Sequence, residues 1–148
     1  MIRGAGPTDA GAVGAILSQF IDLTDWMPRL YSRAQELGFA GTMIDRGWVT
    51  VAEPAGEGSG IAGFLAMDNG FIHALYVASD WCGQGVGQCL LDHAKARSSR
   101  LELRTFQHNH AAQRFYIRAG FQVVEHGDGA DNDEGLPDVR MIWERSVP

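Results

Sequence analysis

The chain has 148 residues, 18 of them acidic and 12 basic, giving a formal net charge of -6 with 45% apolar and 20% charged residues. This fits one soluble domain, residues 1–148, and without a Lys/Arg cluster it argues against nucleic acid as a partner. No stretch approaches the ~20 apolar residues of a membrane helix, no secretory leader is visible, and Cys82 and Cys89 are too few for a disulfide framework, so a cytoplasmic setting is expected.

Ile2 to Ala5 reads as a short first strand, and Thr8 or Asp9 caps a helix running to Ile21. Asp25 is the expected cap of a second helical region, Trp26 to Leu30 and then Ser32 to Arg46, which Gly47 stops. Trp48 to Ala52 is the next strand, and Pro54 to Gly60 a glycine-rich turn. Ile61 to Met67 and Phe71 to Val77 form a hairpin through Asp68-Asn69-Gly70, because Asn-Gly tolerates positive φ. Residues 82 to 87 are a glycine-rich loop, followed by an amphipathic helix from Gln88 to Arg97. Leu101 to Thr105 is a strand, Asn109 to Ala119 a helix and Phe121 to Val124 a strand. His126 to Pro137 is a polar loop, and Val139 to Trp143 the last strand. The class is α/β, a mixed sheet with helices on both faces.

The loop reads Cys82-Gly83-Gln84-Gly85-Val86-Gly87. Alternating glycines let the backbone turn tightly and bring bare N–H groups to a ligand, and the helix that follows favours an anion at its start. The ligand class is therefore a phosphate-bearing cofactor. A P-loop would need a Lys that is absent. A dinucleotide fingerprint would need a third glycine where Gln88 stands.

A second pattern lies downstream. Asn109, Ala112, Phe115, Tyr116, Gly120 and Phe121 fit the spacing Asn-x-x-Ala-x-x-Phe-Tyr-x-x-x-Gly-Phe. Together with the loop and the Leu75-Tyr76-Val77 strand end, this resembles the GNAT superfamily of acetyl-CoA-dependent N-acetyltransferases. Cys82 departs from that pattern, standing where the family usually has Arg or Gln. The resemblance implies a mostly antiparallel mixed sheet in the order strand, two helices, three strands, helix, strand, helix, two strands. It also implies acetyl-CoA as acyl-donor cosubstrate. Backbone groups of Leu75, Tyr76, Val77 and of Cys82, Gly83, Gln84, Gly85, Val86 and Gly87 would hold the cofactor, with Asn109, Phe115 and Tyr116 along its thiol arm. Tyr116 would then protonate the leaving thiolate.

The residues themselves admit plainer readings. Asn109 is also a natural helix cap and Tyr116 a natural core aromatic. Phe71 to Val77 reads as a central strand covered on both faces, which would bury His73; that imidazole is either a general base for an ammonium substrate or a hydrogen-bonded core histidine. Alternatively the sheet parts beside this strand and exposes the backbone of Leu75 to Val77. Asp128, Asp131, Asp133, Glu134 and Asp138 form an acidic stretch that would either attract a cationic amine, with Glu134 and Asp138 binding it, or remain a solvated loop. Trp26, Tyr31 and Phe39 would line the opposite wall or pack in the core.

No metal-ligand spacing and no nucleophile with a paired base is present, so direct transfer to a small-molecule or peptide amine is expected. The alternative is a non-catalytic acyl-CoA-binding or regulatory module of the same fold. Oligomeric state is left open, a homodimer included.

Overall fold

The computed structural model of the protein describes residues 1–55 and 60–146. The strands are β1 (Ile2–Gly4), β2 (Val49–Ala52), β3 (Gly63–Asp68), β4 (Phe71–Val77), β5 (Arg100–Phe106), β6 (Gln122–Gly127) and β7 (Asp138–Glu144). The α-helices are α1 (Ala10–Asp22), α2 (Arg33–Asp45), α3 (Val86–Arg97) and α4 (His110–Arg118). One sheet runs β1-β2-β3-β4-β5-β7-β6, antiparallel throughout except where β4 meets β5. This is the α/β order expected from the sequence, and only the ends of most elements shift.

Each face of the sheet carries its own core. Val13, Ile16, Ala40 and Ile44 from α1 and α2 pack on Val51, Phe64 and Ala66. On the other face, Leu90, Leu91 and Ala94 of α3 meet Leu65, Leu101, Leu103 and Met141, with Tyr116 of α4 in the same cluster. The α3 spacing, positions 86, 90, 91 and 94, is that of a single buried helical stripe. The β3–β4 turn forms as predicted, with Asn69 at φ 49 and Gly70 at φ 81. A Cβ at Gly70 would lie 2.7 Å from Arg100 O, so a side chain is excluded there twice over.

Three expectations change, and a fourth lies outside the described residues. Trp26 to Leu30 is not helical: a turn closed by Met27 N–H to Thr24 O (3.1 Å) precedes Pro28, and Ser32 caps α2 by accepting from Gln35 N–H at 3.1 Å. Pro28 disfavours helical geometry at Met27 and donates no backbone bond of its own. Asp9 stands at the start of α1 without capping it; its carboxylate turns back to Gly6 N–H (2.8 Å) and to the Arg3 guanidinium (2.8 Å). β4 is central but not covered on both faces, since Ile72 alone is buried and His73 is exposed. The turn expected at Pro54 to Gly60 falls largely on 56–59, outside the described residues.

β4 also carries one residue more than β3 opposite it: Ala66 pairs with Ala74 but Met67 with Ile72, which leaves His73 as a bulge. Beyond it the alternation reverses. Ile72 packs with the α3 and α4 core, whereas Ala74 and Tyr76 pack with the α1 and α2 core.

Candidate active site

β4 and β5 pair only at Phe71–Glu102 and Ile72–Leu103, then separate. Ala78 N–H donates to Ala62 O at 2.7 Å, and a Cβ at Gly63 would sit 2.9 Å from Tyr76 O, so both residues face β3. Strand alternation therefore turns the backbone groups of Leu75 and Val77 toward the opening. The parting of the strands is the alternative reading of β4 realised, and it explains the strand's exposure. The Tyr76 side chain turns away, packing on Phe20 (ring centroids 4.6 Å apart) and Phe64 (5.9 Å); burial pushes its phenol up to about 12.

The glycine loop follows a short turn at Ser79–Trp81. Gly83 has φ 78, and Gly85, the N-cap of α3, has φ 84. A Cβ at either would meet nothing within 4 Å, so backbone conformation rather than crowding requires glycine. A cavity of about 390 Å³ lies against this loop, lined by Val77, Trp81, Cys82, Gly83, Gly85, Val86, Gly87, Gln88, Phe115 and Arg118. A Cβ at Gly87 would be 3.5 Å from the Phe115 ring, and anything longer would intrude. The Gln84 side chain donates to Asp80 O at 3.1 Å. Cys82 and Cys89 are free and exposed.

α4 brings its motif to the opening. A cleft between the parted strands is lined by His73 to Tyr76 of β4, Leu103 to Thr105 of β5, and Asn109, Ala112 and Tyr116. Asn109 is the cap that the sequence predicts, accepting from Ala112 N–H at 3.1 Å through Oδ1. Tyr116 packs edge-on against Phe115 and Phe121, with ring centroids 5.1 and 5.3 Å away. Burial, reinforced by Tyr76, pushes its phenol well above 10. Among the described residues the one fully buried unpartnered polar side-chain atom is Glu36 Oε2, so the Tyr116 hydroxyl reaches the cleft. It is protonated at neutral pH and can donate; it cannot act as a base.

His73 is exposed, contrary to the buried histidine expected on a covered strand. Its ring stacks flat on Trp48 at 4.5 Å and 7°, with the Arg46 guanidinium 4.9 Å from the same indole. Partial burial against these groups lowers its pKa below 6.5, offset in part by Asp68 and deepened by Arg46. The imidazole is neutral at physiological pH and able to accept a proton.

The remaining wall comes from distant segments. Trp26 stacks on His108 (5.8 Å) and edges Phe106 (5.7 Å) at the end of β5. Tyr31 donates to Asp133 Oδ2 at 2.9 Å, joining the 23–32 segment to the acidic loop. Core packing is not the fate of Tyr31 and Phe39: they meet edge-on at 4.9 Å near the surface, and Phe39 is 43% exposed. Glu134 lies close enough to Tyr31 and Tyr76 to raise both phenols. Asp138 does not belong to the loop; it opens β7, is buried, and faces Arg104 Nη1 at 3.5 Å. Arg29 anchors the 23–32 segment, pairing with buried Glu36 at 2.8 Å and with Asp22. Ser18 Oγ donates to the same Glu36 oxygen at 2.6 Å. Trp81, Arg104 and Arg118 line the site without having been expected; only Arg118, one turn beyond Phe115, carried a spacing that could have placed it. Among the described residues no three His, Cys, Asp or Glu side chains converge as a metal site, and no helix is long and apolar enough to cross a membrane.

This arrangement, a parted sheet beside a glycine loop capped by a helix, is that of an acyl-CoA-dependent transferase fold. Residues 45–123 match the family model described as an acetyltransferase (GNAT) domain, and the chain belongs to that family. It is 34% identical over 89 residues to peptidyl-lysine N-acetyltransferase YiaC of Escherichia coli K12, covering 59% of each chain. It is 28% identical over 81 residues to peptidyl-lysine N-acetyltransferase YjaB of Salmonella typhimurium, covering 55% of this chain and 56% of that one. The chain thus spans less than two thirds of these curated relatives in the matched regions. The fold is similar throughout to apo YjaB from Escherichia coli, with TM-score 0.80 at 23% identity over 99% of this chain and 98% of that one. It also resembles YncA from Salmonella typhimurium, solved with its cofactor acetyl-CoA, with TM-score 0.72 at 21% identity over 100% and 96% of the two chains.

Proposed function

We propose that the chain is a single-domain N-acetyltransferase that moves an acetyl group from acetyl-CoA to the primary amine of a lysine side chain in a peptide. The observation that carries this is the parting of β4 from β5, with Tyr116 lining the cleft between them and its α4 neighbour Phe115 lining the glycine-loop cavity. The donor set suits the cosubstrate: bare N–H groups and a helix start for the diphosphate, an apolar run past Val77 and Phe115, and polar groups only at the reacting end. The lysine acceptor follows the names of the curated relatives and suits the acidic loop facing Tyr31. The cytoplasm, where such peptides and acetyl-CoA meet, is the setting of this reading.

Bound acetyl-CoA would supply an activated acyl carbon. Val77 N–H would hold the thioester oxygen and strengthen as negative charge grows there. The ammonium proton would pass to His73, directly or through water, freeing the nitrogen lone pair. A C–N bond then forms as the C–S bond breaks; Tyr116 gives its proton to the departing sulfur, and the surplus proton on the acylated nitrogen passes through water to restore the phenol. Asn109 would orient the thiol arm through its free amide nitrogen, and the acidic loop with Glu134 would attract the acceptor cation.

Lysine peptides and free amines are presented with acetyl-CoA, and thiol release is followed. Release with lysine peptides, and its loss in Tyr116→Phe while acetyl-CoA still binds, is the expected result. Binding of acetyl-CoA with no release for any amine would replace the enzyme with a non-catalytic acyl-CoA-binding module.

A further inference from the structure

We propose that Arg118 pairs with a phosphate of the cosubstrate and supplies the side-chain cation that the glycine loop lacks at Cys82. This rests on the acetyl-CoA reading above. In a chain of net charge -6, the cavity beside the loop has a single charged lining residue, and it is a cation. Arg118 lies in the last turn of α4, three residues beyond Phe115, whose ring closes the cavity over Gly87. Residues three apart on a helix share a face, so Phe115 and Arg118 present to the cavity together.

The state of the guanidinium is the second observation. Arg3, Arg29, Arg33, Arg100, Arg104 and Arg140 pair with carboxylates, and of the arginines without such a pair among the described residues, Arg46, Arg97, Arg114, Arg118 and Arg145, Arg118 is the one that lines the cavity. Arg118 makes no hydrogen bond and no ion pair among the described residues. A helix C-terminus by itself favours an arginine, but it does not require that the fork stay unpaired beside a cavity without carboxylates. Backbone donors of the loop hold a phosphate by geometry and leave its charge uncompensated. A planar fork across the cavity, reaching two oxygens at once, completes the neutralisation. The cosubstrate offers two such groups, the diphosphate and the ribose 3′-phosphate.

The test is calorimetry of acetyl-CoA and of dephospho-CoA with the wild-type protein, Arg118→Gln and Arg118→Lys, at low and high salt. Arg118→Gln is expected to bind acetyl-CoA about tenfold more weakly and with a shallower salt dependence, and Arg118→Lys to recover most of the loss. Equal dephospho-CoA affinity in wild type and Arg118→Gln assigns the pair to the 3′-phosphate; a persisting tenfold loss assigns it to the diphosphate. Arg118→Gln within twofold of a wild type that binds acetyl-CoA, with the same salt slope, overturns the proposal alone. A wild type that binds no acetyl-CoA overturns it together with the acetyltransferase reading.

Discussion

The proposed cofactor side and the proposed acceptor side of this molecule are built by different means. Along β4, the glycine loop and α4, the groups that matter are backbone amides, glycines and one helix face, all placed by local geometry. Across the opening, the wall is assembled from side-chain pairs, two of them far apart in sequence, Trp26 on His108 and Tyr31 on Asp133 across 102 residues, and one nearer, Arg29 on Glu36. A surface made of backbone tolerates side-chain change wherever φ and ψ survive. One made of side-chain pairs is re-specified by a single substitution. On the proposed function, the half that would hold the cofactor is therefore the fixed half, and acceptor choice would reside in the other.

Substitutions can break this contrast in order of expected size. Tyr116→Phe should lower turnover by at least ~100-fold with acetyl-CoA affinity within twofold, since it removes a proton donor and keeps the ring packing. Stopped-flow or steady-state thiol release checks it, and an active variant would remove Tyr116 from the chemistry. Gly85→Val forces a β-branched residue to φ 84 and should cost roughly 1–2 kcal/mol of folding stability, with a much weaker hold on acetyl-CoA. Thermal melts and calorimetry read the two effects separately.

On the proposed acceptor side, Glu36→Ala leaves Arg29 with Asp22 and the Ser18 carbonyl (3.2 Å) beneath the 23–32 segment. A loss of roughly 1–3 kcal/mol in urea unfolding is expected, discounted because Arg29 is about a third exposed, with amine KM rising more than that of acetyl-CoA. His73→Gln tests the base. A lowered imidazole pKa keeps the ring neutral above about 6.5, so the wild-type rate should hold at pH 7 and fall only as pH drops through the depressed value. Stability linked to His73 has the same sign, complete above the unfolded pKa and lost as acid protonates the folded ring. In His73→Gln that acid limb should disappear from the kcat/KM profile; an unchanged limb assigns the proton to water. Tyr31→Phe is the smallest change, expected to raise amine KM about two- to threefold by freeing Asp133, with acetyl-CoA binding untouched.

The same division governs what could be read in advance. The Asn69-Gly70 turn, the glycine loop and the seven-residue step from Asn109 to Tyr116 are local signals, and each is found where its spacing placed it. The apolar run from Phe71 to Val77 allows a covered strand as well as a parted one, because such a run cannot say whether a neighbour stays beside it. The bulge at His73 left no mark, since Phe71 to Val77 contains neither Gly nor Pro. Trp26 to Leu30 carried apolar residues at helical spacing, and Pro28 prevailed over that pattern. Asp138 seemed one of five loop acids until β7 pairing drew it against Arg104. That Arg118 has no partner among the described residues, and that the carboxylate of Glu36 is buried, depends on who their neighbours are, and no spacing records that.

The extra residue in β4 works as a phase shifter between two halves of one strand. Ahead of it, even-numbered side chains lean on α3; behind it, they lean on α1. Excising His73 would bring Ile72 and Ala74 together on opposite faces and leave the pairs Met67–Ile72 and Ala66–Ala74 as they are, so Tyr76 and the amides of Leu75 and Val77 would keep their directions. A chain so edited would keep the opening and its amides and lose the imidazole stacked on Trp48, separating the framework that holds a thioester from the group that would take its proton.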